Sequence, residues 1–318
     1  MPSARRGLTT TCSDVRAKSS GVFQLLAHLN QTPRLPARTV VIGAGGFVGA
    51  AVVSRLKHQD AKVLPVARRD VDLLAPNASQ ILKALLQDGD AIVAVAARAP
   101  CKDTLMLIDN MIITDAILDA IASVEVSHVI NISSDAVYAD VPVPLTEQTP
   151  AAPTTFHGVM HLAREIAFSS AVKAPLAILR PSLLYGADDP HNGYGPNRFR
   201  RQANAAEEIL LFGDGEEQRD HVLIDDVAEL VARVLARRSS GILNIATGTV
   251  YSFRVIAEKA AELAPRKVAI SARPRQGPMP HNGYRPFDIA AVHAAFPDFV
   301  YTPLFEGMAK VQRTLANA

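Results

Sequence analysis

The chain has 318 residues, of which 48% are hydrophobic, and its 33 Lys and Arg against 31 Asp and Glu give a formal net charge of +2. The positive excess comes from residues 1–38, where six basic residues face the single Asp14; positions 39–318 hold 27 basic and 30 acidic residues, a net charge of −3. A nucleic-acid-binding body needs clustered Lys and Arg to displace counterions from phosphates, so this composition excludes that class. Length and hydrophobic content predict one large domain, or a domain with a smaller lobe.

Cysteine usage and hydropathy predict a cytoplasmic protein. The sequence contains only two cysteines, Cys12 and Cys101, which argues against a disulfide framework and favours a reducing compartment. The longest uncharged apolar run, Ala91–Ala97, is shorter than the roughly 20 residues that cross a bilayer, so no membrane association is expected. The sequence has no Cys or His cluster with zinc-site spacing, and we expect no bound metal.

Residues 1–37 form a basic N-terminal extension that we expect to be disordered. The segment is rich in Ser, Thr, Arg and Pro, and within it only Val22–Leu29 has a helical pattern. Its composition resembles an organelle transit peptide and lacks the continuous apolar stretch of a secretory signal. An upstream start codon, targeting and partner docking are alternative interpretations, and the segment is left out of the fold prediction.

From Arg38 onwards, short β-branched runs alternate with longer amphipathic segments. The predicted strands are Thr39–Ile42, Ala61–Val66, Ala91–Ala97, His128–Ile132, Leu176–Leu179 and Ile242–Ala246. The predicted helices are Phe47–Lys57, Ala78–Leu86, Thr104–Ala122, Phe156–Val172 and Asp225–Arg237. This alternation predicts an α/β fold, a Rossmann-like doubly wound parallel sheet with right-handed crossovers, whose ligands bind beyond the carboxyl ends of the strands.

The alternation changes after Pro181, where glycines and prolines become frequent and predict the loops of a smaller, C-terminal substrate-binding lobe. The last helix is expected to begin at Thr302-Pro303, a polar N-cap followed by proline. The predicted divisions are the extension 1–37, the Rossmann domain 38–186 to which 222–250 returns, and the lobe 187–221 and 251–318.

A glycine-rich turn follows the first strand and opens the first helix. Glycines at this place permit a tight turn, let the backbone approach a pyrophosphate at the helix N-terminus, and allow close packing of helix on strand. We interpret the turn as a nucleotide-binding element, the alternative being a purely structural turn. Its residues are Gly43, Gly45, Gly46, Phe47, Val48 and Gly49.

The GxxGxxG spacing of this turn resembles the short-chain dehydrogenase/reductase superfamily, in particular its extended branch of nucleotide-sugar epimerases, dehydratases and reductases. The resemblance runs from residue 39 to about residue 318 and excludes the extension. It recurs in a series of elements in the family's order. These elements are Ile132–Tyr138, Leu179–Gly186, Phe212–Val222, Asp225–Ala228, Asn244–Gly248 and Arg285–Asp288.

The resemblance implies a nicotinamide dinucleotide cofactor. An enzyme for NAD would carry an acidic residue near Ala67 for the ribose hydroxyl, whereas here Arg68 and Arg69 follow and can pair with a 2′-phosphate. We therefore expect NADP in preference to NAD, the alternative being that both arginines are solvated surface charges. Further cofactor contacts are expected from Asp72, Leu73, Ala96, Ala97, Arg98, His161 and Pro181.

The catalytic positions depart from the family pattern. The family uses a Tyr as acid/base and, four residues later, a Lys that holds the ribose and lowers the pKa of the phenol. Alignment on the intervening glycine places His157 and His161 at these two positions, while Ser134 matches the hydroxyl that hydrogen-bonds the reacting oxygen. Asp135 matches the acid that expels water in sugar dehydratases, although the Glu that follows it there is Ala136 here. The alternative for Asp135 is a turn cap.

Two interpretations of the histidine pair are open. In the first, His157 is the acid/base, since an imidazole with an ordinary pKa near 6.5 transfers protons at neutral pH. His161, one helical turn further on, then binds the ribose. In the second, the site is degenerate and the chain binds its cofactor without turnover, as a sensor or partner subunit. Metal binding by the pair is disfavoured because the metalloprotease pattern needs Glu where this chain has Gly158.

The resemblance also implies a substrate site. Arg219 matches the arginine that binds the substrate's diphosphate, for which a planar guanidinium fork is suited, the alternative being a solvated loop arginine. The expected activity is NAD(P)-dependent hydride transfer on a nucleotide-linked sugar, and family members pair through the helices after the third and fourth strands, so a homodimer is expected. The other expected substrate contacts are Ser134, Tyr185, Asn197 and Arg285, the alternative for Tyr185 being a core residue.

Overall fold

The computed structural model describes residues 24–316 of the chain. Its strands are β1 Thr39–Ile42, β2 Val63–Val66, β3 Ala91–Ala94, β4 His128–Ile132, β5 Leu176–Pro181, β6 Leu183–Tyr185, β7 Ile209–Phe212, β8 Gln218–Leu223, β9 Gly241–Ile245, β10 Val250–Ser252, β11 Ile270–Arg273 and β12 Tyr284–Arg285. Its helices are α1 Phe47–Lys57, α2 Ala78–Leu85, α3 Thr104–Ala122, α4 Phe156–Ala171, α5 Pro196–Asn204, α6 Ile224–Arg237, α7 Phe253–Glu262, α8 Ala290–Ala295 and α9 Leu304–Ala316, with short 3₁₀ turns at Asp135–Val137 and Pro280–Gly283.

Six parallel strands form the central sheet in the order β2-β1-β3-β4-β5-β9. This confirms the predicted α/β class and the doubly wound parallel sheet. The chain leaves β1 to one side for β2 and returns to the other side for β3, so the order reverses at β1, and ligands of such sheets bind at that reversal. Strand β3 ends at Ala94, earlier than predicted, because Val95 and Ala96 turn away and donate their N–H groups to the Ile42 carbonyl.

Helices cover both faces of the sheet. Residues of α1, α6 and α8 pack against one face, and residues of α2, α3 and α4 pack against the other. Burial on both faces explains why the strands β1 and β3 read as continuous apolar runs rather than as alternating patterns. Helix α8 was expected in the lobe, but Val292 packs into the core of the sheet.

A third core lies in the smaller lobe, where β7, α5, α7 and α9 come together beside β8. Tyr185 belongs to this core, so of the two roles that the sequence left open for it, packing in the core is the one found, and substrate binding is not. The side chain is only 1% exposed, its hydroxyl donates to the Leu304 carbonyl at 3.4 Å, and it packs onto Gly307 so closely that an added Cβ there would meet the hydroxyl at 1.9 Å.

Residues 24–27 pair along the edge of the central sheet, and Leu29, Asn30 and Arg34 donate backbone hydrogen bonds to the end of α6, so the boundary expected at residue 37 is wrong. Ile242 of β9 accepts from the N–H of Leu26 and donates to the Gln24 carbonyl, while Ala27 and Ser240 exchange two hydrogen bonds of 2.8 Å. A helix was expected over Val22–Leu29, but within the described residues this segment is extended. The unpaired N–H and C=O groups of an edge strand attract such a segment, and a local sequence pattern does not reveal which strand lies at the edge. Residues 1–23 lie outside the described part.

Candidate active site

A cavity of about 1100 Å³ opens at the carboxyl ends of the central strands and extends under the lobe. Of the residues that the sequence assigned to a site, Gly49 and Tyr185 do not line it. Those that line it on the cofactor side are Gly43, Gly45, Gly46, Phe47, Val48, Arg68, Arg69, Asp72, Leu73, Ala96, Ala97, Arg98 and Pro181. Those that line it elsewhere are Ser134, Asp135, His157, His161, Asn197, Arg219 and Arg285.

The glycine turn leaves space for a group bound against its backbone. Gly43 has a positive φ of +97°, and a Cβ there would lie 2.6 Å from the backbone nitrogen of Ala96. Gly45 and Gly46 are exposed to the cavity, where no atom lies within 3.4 Å of an ideal Cβ on Gly46, and no side chain caps the first N–H groups of α1. Such a cradle of free N–H groups at a helix N-terminus fits a pyrophosphate.

Gly49 has a different role from its neighbours. It is buried in the first turn of α1, and its Cβ would lie 2.2 Å from the Gly43 carbonyl oxygen. The missing side chain therefore lets the helix approach the end of β1, as the sequence predicted, without contact with the cavity.

Two exposed arginines stand where the cavity passes the end of β2. The side chains of Arg68 and Arg69 are 79% and 89% exposed, and Arg68 lies 3.2 Å from Asp72. The pKa of Asp72 is lowered first by the N–H of Leu74, which its carboxylate accepts, and then by Arg68. The sequence reasoning missed Asp70, whose carboxylate accepts the Ala67 N–H at 2.8 Å. A salt bridge this exposed adds little stability, so a phosphate can displace Asp72 from Arg68.

The loop after β3 forms the wall opposite the glycine turn. The Arg98 N–H donates to the Asn110 side chain at 2.8 Å, and the Arg98 guanidinium pairs with Asp109 of α3. The Ala96 carbonyl accepts from Arg164 of α4 at 2.6 Å. Both the backbone and the charge of Arg98 are therefore held by side chains of α3.

The histidine pair projects from the first turns of α4. Thr155 caps this helix by accepting the Gly158 N–H at 3.1 Å, and the rings of His157 and His161 meet edge to face with centroids 4.7 Å apart. The Nδ1 of His157 accepts the backbone N–H of Cys101 at 3.4 Å, whereas the buried Nδ1 of His161 has no hydrogen-bond partner among residues 24–316.

Burial keeps both imidazoles neutral. It lowers the pKa of His157, against the opposing effect of the Asp135 carboxylate. It lowers the pKa of His161 more strongly, and the nearby His157 and Arg164 act in the same direction. Since both values lie below the usual 6.5, neither ring carries a charge at neutral pH.

Arg164 is a buried cation that the sequence reasoning missed. It lies one turn after His161, and its guanidinium donates to the Ala96 carbonyl and, at 3.3 Å, to the Asn131 side chain. It has no carboxylate partner within the described residues, and burial lowers its pKa to about 10. Helix α4 therefore carries a buried positive charge at Arg164, one turn after His161, the position at which the family pattern has lysine.

Ser134 and Asp135 are linked at the end of β4. The Ser134 hydroxyl accepts the Ala136 N–H at 3.1 Å and donates to Asp135 at 3.3 Å. Arg285 then donates to the Asp135 carboxylate at 3.0 Å, to the Asp135 carbonyl at 2.8 Å and to Asp140 at 2.7 Å. Asp135 therefore does more than cap a turn, and all three guanidinium nitrogens of Arg285 are engaged by protein groups.

The predicted diphosphate arginine has a carboxylate partner that the sequence reasoning missed. Arg219 is buried and lies 2.5 Å from Glu217, and it also donates to the Pro280 carbonyl at 2.9 Å. Its Nη1 faces no hydrogen-bond partner among residues 24–316, and burial lowers the pKa of the group. Asn197 lines the same region but holds the loop, since its side chain contacts the Leu184 carbonyl and the Gly186 N–H.

The sequence profile of the NAD dependent epimerase/dehydratase family matches residues 39–246, from the first strand to the end of the central sheet. The chain belongs to this family. The resemblance inferred from the motifs is thereby confirmed at the level of the family.

Curated relatives of this epimerase/dehydratase family member cover most of the chain. UDP-glucose 4-epimerase of Corynebacterium glutamicum is 24% identical over 277 residues, which are 75% of this chain and 84% of that protein. The dTDP-6-deoxy-L-talose 4-dehydrogenase (NAD(P)+) of Kitasatospora kifunensis is 28% identical over 247 residues, 70% of this chain and 78% of that protein. In fold, the chain resembles a GDP-L-fucose synthetase from Naegleria fowleri bound to NADP, with a TM-score of 0.77, 16% identity, and coverage of 92% and 97% of the two chains.

Metal-binding clusters and membrane-spanning helices were also sought in the described residues. Within residues 24–316, no group of three or more His, Cys, Asp or Glu side chains is placed to hold a metal ion. None of the helices in the same range has the length and apolar character needed to cross a membrane.

Proposed function

We propose that this protein is an NAD(P)-dependent enzyme that transfers a hydride to or from a nucleotide-linked sugar, as an epimerase, reductase or dehydratase. The observation that carries the proposal is the continuity of one cavity from the glycine turn, past Ser134 and His157, to Arg219. Curated relatives that act on such sugars support it. A bound nicotinamide would supply the hydride donor or acceptor, and the residues of the chain would bind and orient both ligands.

The cofactor end of the cavity supports NADP over NAD. The backbone of Gly45 and Gly46 would hold the pyrophosphate, while Arg68 and Arg69 are exposed at the end of β2 and can approach a 2′-phosphate. Ala67 offers no carboxylate to the ribose hydroxyl of NAD, although Asp70 lies close to its backbone.

At the reacting end, His157 takes the place of the usual tyrosine. Ser134 and His157 both line the cavity, and His161 lies behind His157, where the ribose-binding lysine of the family would be. Since His161 is neutral, it would bind a ribose hydroxyl by a hydrogen bond alone. At the far end, Arg219 would hold the diphosphate with the nitrogen that Glu217 leaves free.

A homodimer is part of the proposal. Helices α3 and α4 expose large apolar side chains to solvent, of which Leu105 at 74% is the most exposed. The others are Ile108, Ile112, Phe156, Val159 and Ile166. An apolar surface on two adjacent helices fits a second copy that presents the same surface, as a two-fold interface requires. A cytoplasmic location, which two cysteines in the sequence favour, completes the proposal.

A second candidate function is cofactor binding without turnover, as a sensor or partner subunit. The observation in its favour is that neither His157 nor His161 carries a charge, and His161 is buried without a partner for its Nδ1 among the described residues. The family's lysine would be charged at this place.

A turnover assay distinguishes the proposed enzyme from the non-catalytic cofactor-binding protein. Purified full-length protein is incubated with NADP(H) or NAD(H) and UDP-glucose, UDP-N-acetylglucosamine, GDP- and dTDP-hexoses, and nicotinamide absorbance and sugar products are followed. We expect turnover that is abolished by His157→Ala and retained by His58→Ala, whose imidazole is exposed at the end of α1. Tight cofactor binding without turnover, with activity appearing in the His157→Tyr/His161→Lys double variant, supports the second candidate instead.

A further inference from the structure

We propose that the proton of the reacting hydroxyl leaves through Ser134 to Asp135, and that His157 donates a hydrogen bond to the same oxygen rather than accepting its proton. The assignment rests on the proposed function. It exchanges the roles that the family pattern gives to the positions of Ser134 and His157. It is carried by the hydrogen bonds that these side chains already make.

The Ser134 hydroxyl is arranged to receive a proton. A hydroxyl has one proton and two lone pairs. The Ala136 N–H occupies one lone pair at 3.1 Å, and the proton is directed to Asp135 Oδ1 at 3.3 Å. The described bonds leave a single lone pair for a ligand in the cavity, so Ser134 can accept from a substrate hydroxyl but has no proton left to donate to it.

Asp135 is held as the final acceptor. Arg285 donates to its other carboxylate oxygen at 3.0 Å and to its carbonyl at 2.8 Å, which fixes both the side chain and the backbone. Asp140 is the second carboxylate on the same guanidinium. The Asp135 side chain is 15% exposed and lines the cavity, so the proton it receives can pass on to solvent.

The tautomer of His157 follows from its backbone contact. Because Nδ1 accepts the Cys101 N–H, the proton of the neutral ring is on Nε2, which makes Nε2 a donor. The groups whose charges act on the pKa of the ring are Asp135 after β4, which raises it, and His191 in the loop before α5, which lowers it. Burial outweighs the Asp135 charge, and the neutral ring is preserved.

In the oxidation direction the transfer then balances. The substrate O–H bond breaks and its proton binds Ser134 Oγ as the Ser134 proton binds Asp135 Oδ1, while His157 Nε2–H remains intact and stabilises the negative charge on the oxygen. A bound nicotinamide would accept the hydride from the carbon, which would thereby become a carbonyl carbon. Reduction of a carbonyl follows the same path in reverse, with the proton supplied by Asp135 through Ser134.

Asp135→Asn and Asp140→Asn form a matched pair for the test. Each removes one negative charge from Arg285, but only Asp135 contacts Ser134. With the sugar nucleotide that the wild type turns over, we expect Asp135→Asn to lower kcat by about 10²–10⁴, the usual contribution of a general base. The residual rate should then rise with pH as hydroxide replaces the carboxylate. Asp140→Asn should lose less than about tenfold and keep the wild-type pH profile. Equal losses in the two variants would overturn the assignment.

His157→Gln and His157→Ala test the donor role. The Gln amide can present an N–H near the place of Nε2–H but is not a base at neutral pH. We expect His157→Gln to retain at least tenfold more activity than His157→Ala. If the Gln variant is as inactive as the Ala variant and Asp135→Asn is active, His157 is the group that accepts the proton.

A measurement on the wild-type protein without ligands is independent of turnover. Long-range ¹H–¹⁵N correlation of ¹⁵N-histidine-labelled protein, with His157→Gln identifying the signal, should show the neutral tautomer protonated at Nε2 at pH 7. A protonated Nδ1 overturns the donor role whatever the activity. If the wild type turns over none of the sugar nucleotides, the proposed function and this assignment fail together. If the wild type is active and Asp135→Asn is unimpaired, only the assignment fails.

Discussion

Gly49→Ala should destabilise the fold, whereas Gly46→Ala should weaken cofactor binding alone. An ideal Cβ on Gly49 lies 2.2 Å from the Gly43 oxygen, 2.8 Å from its carbonyl carbon and 2.9 Å from the Ala44 Cα. All three are backbone atoms, so helix α1 must move away from the end of β1 by several tenths of an ångström. Such overpacking costs about 1–3 kcal/mol. Because the clash is with backbone atoms, the cost should lie at the upper end of this range, and after a gain of up to about 1 kcal/mol from the better helix propensity of Ala, a net loss of about 2 kcal/mol remains.

Gly46 is the matched control because it lies in the same turn with different surroundings. Its φ of −89° suits any residue, and the nearest atom to its Cβ is 3.5 Å away. Thermal unfolding should show Tm lowered by about 3 °C in Gly49→Ala and unchanged in Gly46→Ala, because a chain of this length loses roughly 1.6 °C for each kcal/mol. Fluorescence titration with NADPH should show an affinity at least about tenfold weaker in Gly46→Ala, since a methyl group displaces the pyrophosphate from the N–H groups. An unchanged Tm in Gly49→Ala, or an equal fall in both variants, would refute the reasoning.

Four further predictions concern other parts of the molecule. Glu165→Gln should lower the free energy of unfolding in urea by about 3–5 kcal/mol, since the buried carboxylate accepts two hydrogen bonds from Arg180, at 2.9 and 2.6 Å. Burial lowers the pKa of His128 to about 4, so as the pH falls the unfolded chain binds a proton on this histidine before the folded chain does. Between pH 6.5 and 4 the wild type should therefore lose about 3 kcal/mol of stability, a loss that His128→Gln should not show. Arg68→Ala should weaken NADP binding about tenfold or more in a fluorescence titration and leave NAD unaffected. Ile108→Asp should convert a dimer to a monomer in light scattering, because it places a charge in the exposed apolar surface of α3.

Each of these predictions has a contrary result. An unfolding midpoint of Glu165→Gln equal to the wild type would mean that the ion pair adds no stability. Parallel pH curves for the wild type and His128→Gln would mean that burial does not lower the pKa of this histidine, so that it binds its proton as readily in the folded as in the unfolded chain. Equal weakening of NADP and NAD by Arg68→Ala would refute phosphate recognition, with Arg266→Ala, an exposed arginine outside the cavity, as the charge control. A monomeric wild type would refute the homodimer.

The elements that the sequence predicted well are those whose signals are local. The strand at Thr39–Ile42 and the helices at Phe47–Lys57 and Thr104–Ala122 have the predicted bounds, because apolar periodicity and glycine spacing are properties of neighbouring residues. The proximity of His157 and His161 was likewise readable, since residues four positions apart lie on the same face of a helix. The segment 24–37 was not predicted, because its structure depends on an edge strand more than 200 residues away.

The sequence by itself therefore determined the family, the doubly wound sheet and the residues that line the cofactor end of the cavity. Only the tertiary structure decided how the reacting end is arranged. Asp135 and Arg285 are 150 positions apart, and Cys101 is 56 positions from His157, yet Arg285 holds the Asp135 carboxylate beside Ser134 and the Cys101 N–H contacts the imidazole. The physical reason is that periodicity reports burial along one element, whereas the charge and proton position of a side chain depend on the groups that packing brings to it from distant elements.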